Sequence, residues 1–369
     1  MKLFKSLLIA PATLGLLAPL SAISSEVDFQ AISKYSQVDY ELDSNSFNHL
    51  STNNTLLSGG EGLVETDSPD SFSSTTSASF SAEGILGGVS SDLDTSEAVS
   101  LDYQYGIGLT SSFTGEDSFD VTIDSGNDSG SPSSAVFDMD QTDDVMTVDG
   151  IAYTFPVGGA TMKVGDSTDI SSLYTGACAY SGFVDYMGDC GTGNSVGVGN
   201  DGVTATASYA FDGGFSLAGG VSSPAAEITG ENFNDTYGVE AAYTGDAYGV
   251  SVAFSDIETS TFVGVNGYYA FDFATLSAGY ESQDIDDADD ASAFFVGLTK
   301  EVGPGSANIG YASTDQDPLG FGVDDQTYFY EASYAYPVND ALTVTPGLAI
   351  VDTDAGESTV AAVKATFAF

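Results

Sequence analysis

The chain has 369 residues, with 54 acidic side chains against six lysines and no arginine, and a formal net charge of −48. Nucleic acid and anionic membrane surfaces are poor partners for such a charge. A single histidine with no arginine and no nucleophile elbow leaves little acid–base equipment, so no enzyme is expected.

Export is written into the first residues. Lys2 and Lys5 precede an apolar stretch, Leu7 to Leu20, broken by Pro11, Gly15 and Pro19 and followed by Ser21, Ala22, Ser24 and Ser25. That order is a secretory signal, expected over residues 1–24, and the run is too short and interrupted for a spanning helix. Residues 25–70 are polar without sustained alternation and read as a periplasmic leader or linker. No later segment supplies the roughly 18 consecutive apolar residues of a transmembrane helix.

Residues 71–369 behave differently. Segments of about ten alternating residues are separated by Gly, Asp, Asn and Ser, the pattern of transmembrane β-strands. Val99, Leu101, Tyr103, Tyr105, Ile107 and Leu109 alternate with Ser100, Asp102, Gln104, Gly106, Gly108 and Thr110. Because strand side chains point alternately to two faces, one face is apolar and the other polar or tiny. Phe119, Val121 and Ile123 alternate with Asp120, Thr122 and Asp124; Tyr328, Tyr330, Ala332, Tyr334 and Tyr336 oppose Phe329, Glu331, Ser333 and Ala335. A soluble sandwich also alternates, but its apolar faces must meet each other. The expected fold is all-β, a transmembrane antiparallel β-barrel of about 16 strands, wide enough for an aqueous lumen. Strands are expected near 76–86, 97–111, 117–125, 146–156, 159–166, 202–212, 214–221, 235–244, 247–256, 261–271, 273–282, 291–301, 306–313, 326–336, 341–350 and 359–369.

Between Asp166 and Asp201 the strand pattern stops. Cys178 and Cys190 lie in this Gly-rich stretch, and in an exported chain the pair reads as a disulfide. Two sulfurs and the remote His49 cannot build a zinc site. Tyr174, Tyr180, Asp185 and Asp189 make this stretch the candidate for a loop that folds inward and narrows a pore; an ordinary external loop is the plainer alternative. The glycines from Gly193 to Gly202 do not lead into a helix, against a phosphate-binding loop.

Acidic clusters fall where turns are expected: Asp138, Asp140, Asp143 and Asp144; Asp284, Asp286, Asp287, Asp289 and Asp290; Asp315, Asp317, Asp324 and Asp325; Asp352, Asp354 and Glu357. Their plainer reading is solvated loop charge, with loosely bound Ca²⁺ or Mg²⁺ as the alternative. None has the full EF-hand loop pattern, and no resident cofactor or metal is expected.

Phe369, Phe367, Ala365, Val363 and Ala361 share one face of the last segment, with Lys364 on the other. The terminal aromatics Phe367 and Phe369 resemble the strand signature read by the barrel-assembly machinery. Pore-lining candidates are Asp102, Asp120, Asp124, Glu331 and Lys364, the lysine expected to pair with a carboxylate.

Ser112-Phe113-Thr114-Gly115-Glu116-Asp117, Ile151-Ala152-Tyr153-Thr154-Phe155-Pro156-Val157-Gly158, the Cys178 to Cys190 loop and Thr366-Phe367-Ala368-Phe369 together resemble the porins of cyanobacteria, the group labelled iron-uptake or carbohydrate-selective porin-like proteins. The likeness covers about residues 70–369. It implies an outer-membrane channel for small solutes or ions, set in outer-membrane lipid, and a homo-oligomer, with a trimer as one arrangement. Most of that group carry a surface-layer-homology module before the barrel, and no recognisable module stands here. The resulting expectation is passive diffusion through an acidic lumen that enriches cations, with no nucleic-acid partner. Against it stand an acidic surface adhesin or receptor barrel without conductance, and a secreted Ca²⁺-binding adhesin.

Overall fold

The structure, a computed structural model, describes residues 76–369 apart from 92–97, 128–135, 138, 140–141, 194, 196–201, 224–234, 258–259, 287–288, 316–325 and 355. The expected signal peptide and leader, and Asp138, Asp140, Asp287, Asp317, Asp324 and Asp325, lie outside the described residues.

Sixteen strands follow in order: β1 (Thr76–Ser91), β2 (Ala98–Ser111), β3 (Ser118–Gly126), β4 (Thr147–Val157), β5 (Ala160–Thr168), β6 (Gly202–Ala210), β7 (Phe215–Ser223) and β8 (Thr236–Thr244). The second half comprises β9 (Tyr248–Asp256), β10 (Ser260–Phe271), β11 (Ala274–Ile285), β12 (Ala291–Val302), β13 (Gly305–Thr314), β14 (Thr327–Asn339), β15 (Leu342–Thr353) and β16 (Gly356–Ala368). Each strand pairs with its sequence neighbours, and β1 pairs antiparallel with β16, which closes the barrel. The expected alternation and the expected strand number are both realised. The largest boundary difference is in β1, which runs to Ser91 rather than ending near 86. Gly87-Gly88 reads as a turn in sequence, yet Gly87 meets β16 so closely that a Cβ there would lie 2.3 Å from the Cβ of Ala362. Glycine is what lets the two strands pack at the seam.

At one end the strands are joined by turns of two to six residues; the other end carries the long connections, above all 127–146 and 169–201. The β2–β3 turn shows how a short end is fixed. Asp117 accepts hydrogen bonds from Ser112 Oγ and from the backbone N–H groups of Phe113 and Thr114 at 2.8–2.9 Å, and from Tyr153 Oη at 2.6 Å. The Tyr153 hydroxyl, then the backbone and hydroxyl donors of the turn, hold its carboxyl well below the usual aspartate range.

Residues paired across antiparallel strands share a face, so the register sorts inside from outside. Leu101, Val239, Val252, Ile309 and Leu348 are exposed on the outer face. Among the described residues, charged side chains on that face sit only near strand ends: Asp166, Asp256, Asp284, Lys300, Asp352 and Glu357. An uninterrupted apolar band of this kind, around a barrel with no free edge, is the surface that acyl chains cover. Near the short-turn end lie the ring pairs Tyr153–Phe155, Tyr209–Phe211, Tyr269–Phe271 and Tyr334–Tyr336, amphipathic rings suited to an interface.

Two outcomes test this arrangement. Asp117→Ala lowers resistance to urea unfolding at neutral pH. Since the folded carboxyl titrates below its unfolded value, the difference from the parent protein holds above about pH 5 and shrinks only below about pH 4. Val252→Arg, at the middle of β9 on the outer face, costs about 2–4 kcal/mol in a bilayer, read as a lower urea midpoint in lipid and a smaller fraction of heat-modifiable folded protein on gels.

Candidate functional site

The inner face is not uniformly open to water. Residues 169–193 and Ser195, after β5, run along it, and this inward position follows from their contacts. A 3₁₀ turn at Ile170–Leu173 starts the excursion, and Thr206 Oγ1 of β6 donates to the Ile170 carbonyl at 3.1 Å. Thr175 and Gly176 donate their backbone N–H groups to the two carboxylate oxygens of Glu240 on β8, at 2.8 and 2.9 Å. The Ala177 N–H reaches Asn266 Oδ1 on β10 at 3.1 Å. Glu331 on β14 takes three donors: Tyr180 Oη at 2.8 Å and the N–H groups of Phe183 and Val184 at 2.9 Å each. The Ser195 N–H donates to Glu281 on β11.

Space for this loop comes from inward-facing glycines. A Cβ on Gly238 would lie 2.6 Å from Ile170 Cδ1 and 2.7 Å from the Tyr174 hydroxyl; on Gly264, 1.8 Å from Ser195 Oγ; on Gly279, 2.0 Å from the Cys190 carbonyl. On Gly297 it would meet the Tyr180 ring at 2.5 Å, and on Gly347 the Phe183 ring at 2.6 Å. Only hydrogen atoms at these positions let the loop lie flat on the wall. Cys178 and Cys190 form a disulfide with their Cα atoms 5.8 Å apart. The Tyr186 ring stacks on Phe329 at 4.5 Å, and Phe183 meets Phe137 of the 127–146 connection edge-on at 5.2 Å. An apolar cluster inside the barrel gathers Phe137, Phe183, Met187 and Phe295 with Ile85, Val89 and Val360 of the β1–β16 seam.

The candidate residues fall into distinct places. Tyr174 and Tyr180 turn toward the wall rather than toward open lumen. Burial, then the charge of Glu331, pushes the Tyr180 phenol far above its ordinary range, so it donates as a neutral hydroxyl. Asp185 and Asp189 remain exposed on the loop. Surrounding protein, and then the charge of Asp169, hold the Asp189 carboxyl above its usual value. Asp120 and Asp124 face inward and are partly exposed. Asp120 accepts from Thr110 and Ser118 at 2.7 Å, and Asp124 from Thr147. Lys364 also faces inward, 3.8 Å from Glu83. Phe367 and Phe369 are on the outer side; Phe369 stacks on Phe80 at 5.7 Å and exchanges backbone hydrogen bonds with it.

Two expectations need correction. Glu331 faces inward but is only 4 % exposed, because the loop lies over it and uses both its oxygens. Asp102 faces inward beside Ile85 and is 1 % exposed. Neither lines water. Alternation gives the face of a side chain and is silent on what covers that face.

Sequence reading missed Glu83 and Asp149. Asp149 sits at a bulge where β4 shifts register against β3, between Thr122 and Ile123, and accepts from Thr122 Oγ1 at 3.1 Å. The bulge breaks the alternation that would have revealed it. Glu83, Gln104, Thr122, Asp124, Asp149 and Thr366 line a groove of about 480 Å³ on the inner side of β1–β4 and β16.

The architecture, a closed antiparallel barrel of sixteen strands, is shared by solved porin structures. An anion-selective porin from Comamonas acidovorans matches with a TM-score of 0.59 at 16% identity, over 80% of this chain and 100% of that one. Pseudomonas putida OprB matches with a TM-score of 0.60 at 12% identity, over 80% and 94% of the two chains. A loop-deletion mutant of OmpT, an outer membrane protein of Vibrio cholerae, matches with a TM-score of 0.57 at 11% identity, over 80% and 100%. No family model matches the chain, and no curated protein matches it.

Seating of the loop can be tested at its tightest backbone contact. Gly279→Ala forces the Cys190 carbonyl off the wall and costs about 1–3 kcal/mol by overpacking. Limited proteolysis is expected to cut within 169–195 faster in this variant, while strand segments stay protected.

Proposed function

We propose that the chain is an outer-membrane porin through which small hydrophilic solutes and ions diffuse passively, with a preference for cations. The observation that carries this reading is the division of the closed sheet, with an apolar band outside and an inner wall where Asp120, Asp124 and Asp149 stay open to water. Fold likeness to porins, one of them named as an outer membrane protein, supports the channel and its location. It does not supply the sign of selectivity, since one barrel of this fold is named anion-selective at 16% identity. The sign comes from this chain's composition and wall: no arginine anywhere, and Lys364 already beside Glu83. A negative lumen potential concentrates cations and repels anions.

A second reading, a receptor barrel without conductance, draws on the apolar cluster that joins the β1–β16 seam to Phe137 and Phe183 inside the barrel. Liposome swelling with small sugars separates the two, since a plugged barrel gives none.

In planar bilayers under a KCl gradient, the zero-current potential is expected to report K⁺ passing more readily than Cl⁻. Selectivity weakens from 0.1 to 1 M salt as the screening length drops from about 10 to about 3 Å. Anion preference in 0.1 M salt would overturn the acidic-lumen reading.

A further inference from the structure

We infer that ion selectivity is set on one side of the lumen, by Asp120, Asp124, Asp149 and the Glu83–Lys364 pair, and that the inward carboxylates Glu240, Glu281 and Glu331 serve only to position the loop. This inference rests on the channel reading above and assigns the residues behind it.

Two sets of inward acids differ in what covers them. Glu240, Glu281 and Glu331 are 1 %, 0 % and 4 % exposed. Their oxygens accept backbone N–H groups from the loop, so a permeating ion cannot reach them. A buried carboxylate persists only when such donors replace its water. These three are therefore committed to holding residues 175–193 and Ser195 against the wall.

The loop touches β6 to β8 through its 3₁₀ turn and reaches β10 to β15 through the anchors and the glycine contacts. Elsewhere on the inner wall, beside β1 to β4 and β16, a groove of about 480 Å³ opens at Asp124 and Asp149, while Asp102 on β2 lies buried. The acids of this wall take their hydrogen bonds from short hydroxyl side chains: Thr110 and Ser118 for Asp120, Thr122 for Asp149, and Thr147 for Asp124. Hydroxyls orient a carboxylate without neutralising it. Lys364 offsets Glu83 at 3.8 Å, and Lys163, inward on β5, is the remaining inward base among the described residues. Three free acids against one lysine leave this wall negative. Ions that follow the open side pass it at close range, where Coulomb interactions are least screened.

Full-length protein in planar bilayers tests this. In Asp124→Asn/Asp149→Asn, the K⁺/Cl⁻ permeability ratio is expected to fall by a factor of about 3 or more at 0.1 M salt, with channels still open. Asp149→Cys gives an independent readout that needs no second substitution. A cationic methanethiosulfonate reagent lowers its ratio further, and an anionic one restores it. Glu331→Gln acts through the loop, so conductance and open-channel noise change while the ratio stays in the parent range. An unchanged ratio in the double variant and in modified Asp149→Cys, with a cation-preferring parent, overturns the wall assignment and leaves the channel reading intact. A ratio that collapses in Glu331→Gln alone also overturns it. A parent protein that never conducts removes both.

Discussion

Everything inside this barrel is conditioned by the closure of the sheet. Backbone N–H and C=O groups in hydrocarbon have no water to turn to, and an open edge would leave a row of them unpaired. Pairing of β1 with β16, from Ser81 opposite Ala368 to Ser91 opposite Ser358, removes that edge. The same closure gives each side chain one of two fates. It faces the surrounding phase, or it shares a bounded interior with side chains from fifteen other strands.

A bounded interior must also admit the loop. Ordering its backbone costs about 1–2 kcal/mol per residue, and a buried polar chain gains nothing unless its donors are satisfied. The barrel meets both demands with residues that look unremarkable in isolation. Gly238, Gly264, Gly279, Gly297 and Gly347 lower the wall by one Cβ each, so loop atoms reach van der Waals contact with the sheet. Glu240, Asn266, Glu281 and Glu331 then stand as acceptors where the loop's N–H groups arrive. The disulfide between Cys178 and Cys190 shortens the segment that must be ordered between the Glu240 and Glu281 anchors.

Strand number, alternation and the outer face were legible in the sequence because they are local. A period of two is visible in Val99 to Thr110 without knowing what lies opposite. The stretch from Asp166 to Asp201 was equally legible as a break in that period, and its two cysteines as a pair. Cover was not legible. Glu331 and Asp120 read alike, each a carboxylate on the wet face of a strand. What separates them is Phe183 and Val184, 148 and 147 residues away from Glu331 in sequence. Asp149 escaped for a different reason: its bulge shifts the register, and a one-residue slip reverses every face. Glycines on the inner face looked like turn residues or weak strand residues, because nothing in their neighbourhood announces the loop they accommodate.

Net charge is therefore a poor guide to the field an ion would meet. The chain is extremely acidic, yet its carboxylates serve several ends. Asp117 folds back to hold a turn. Asp352 and Glu357 stand opposite each other at the rim of the outer face. Glu240, Glu281 and Glu331 are enclosed by the loop. Only carboxylates that keep both their charge and their contact with lumen water can act on a solute at short range, and on the described walls these concentrate around the groove of β1–β4.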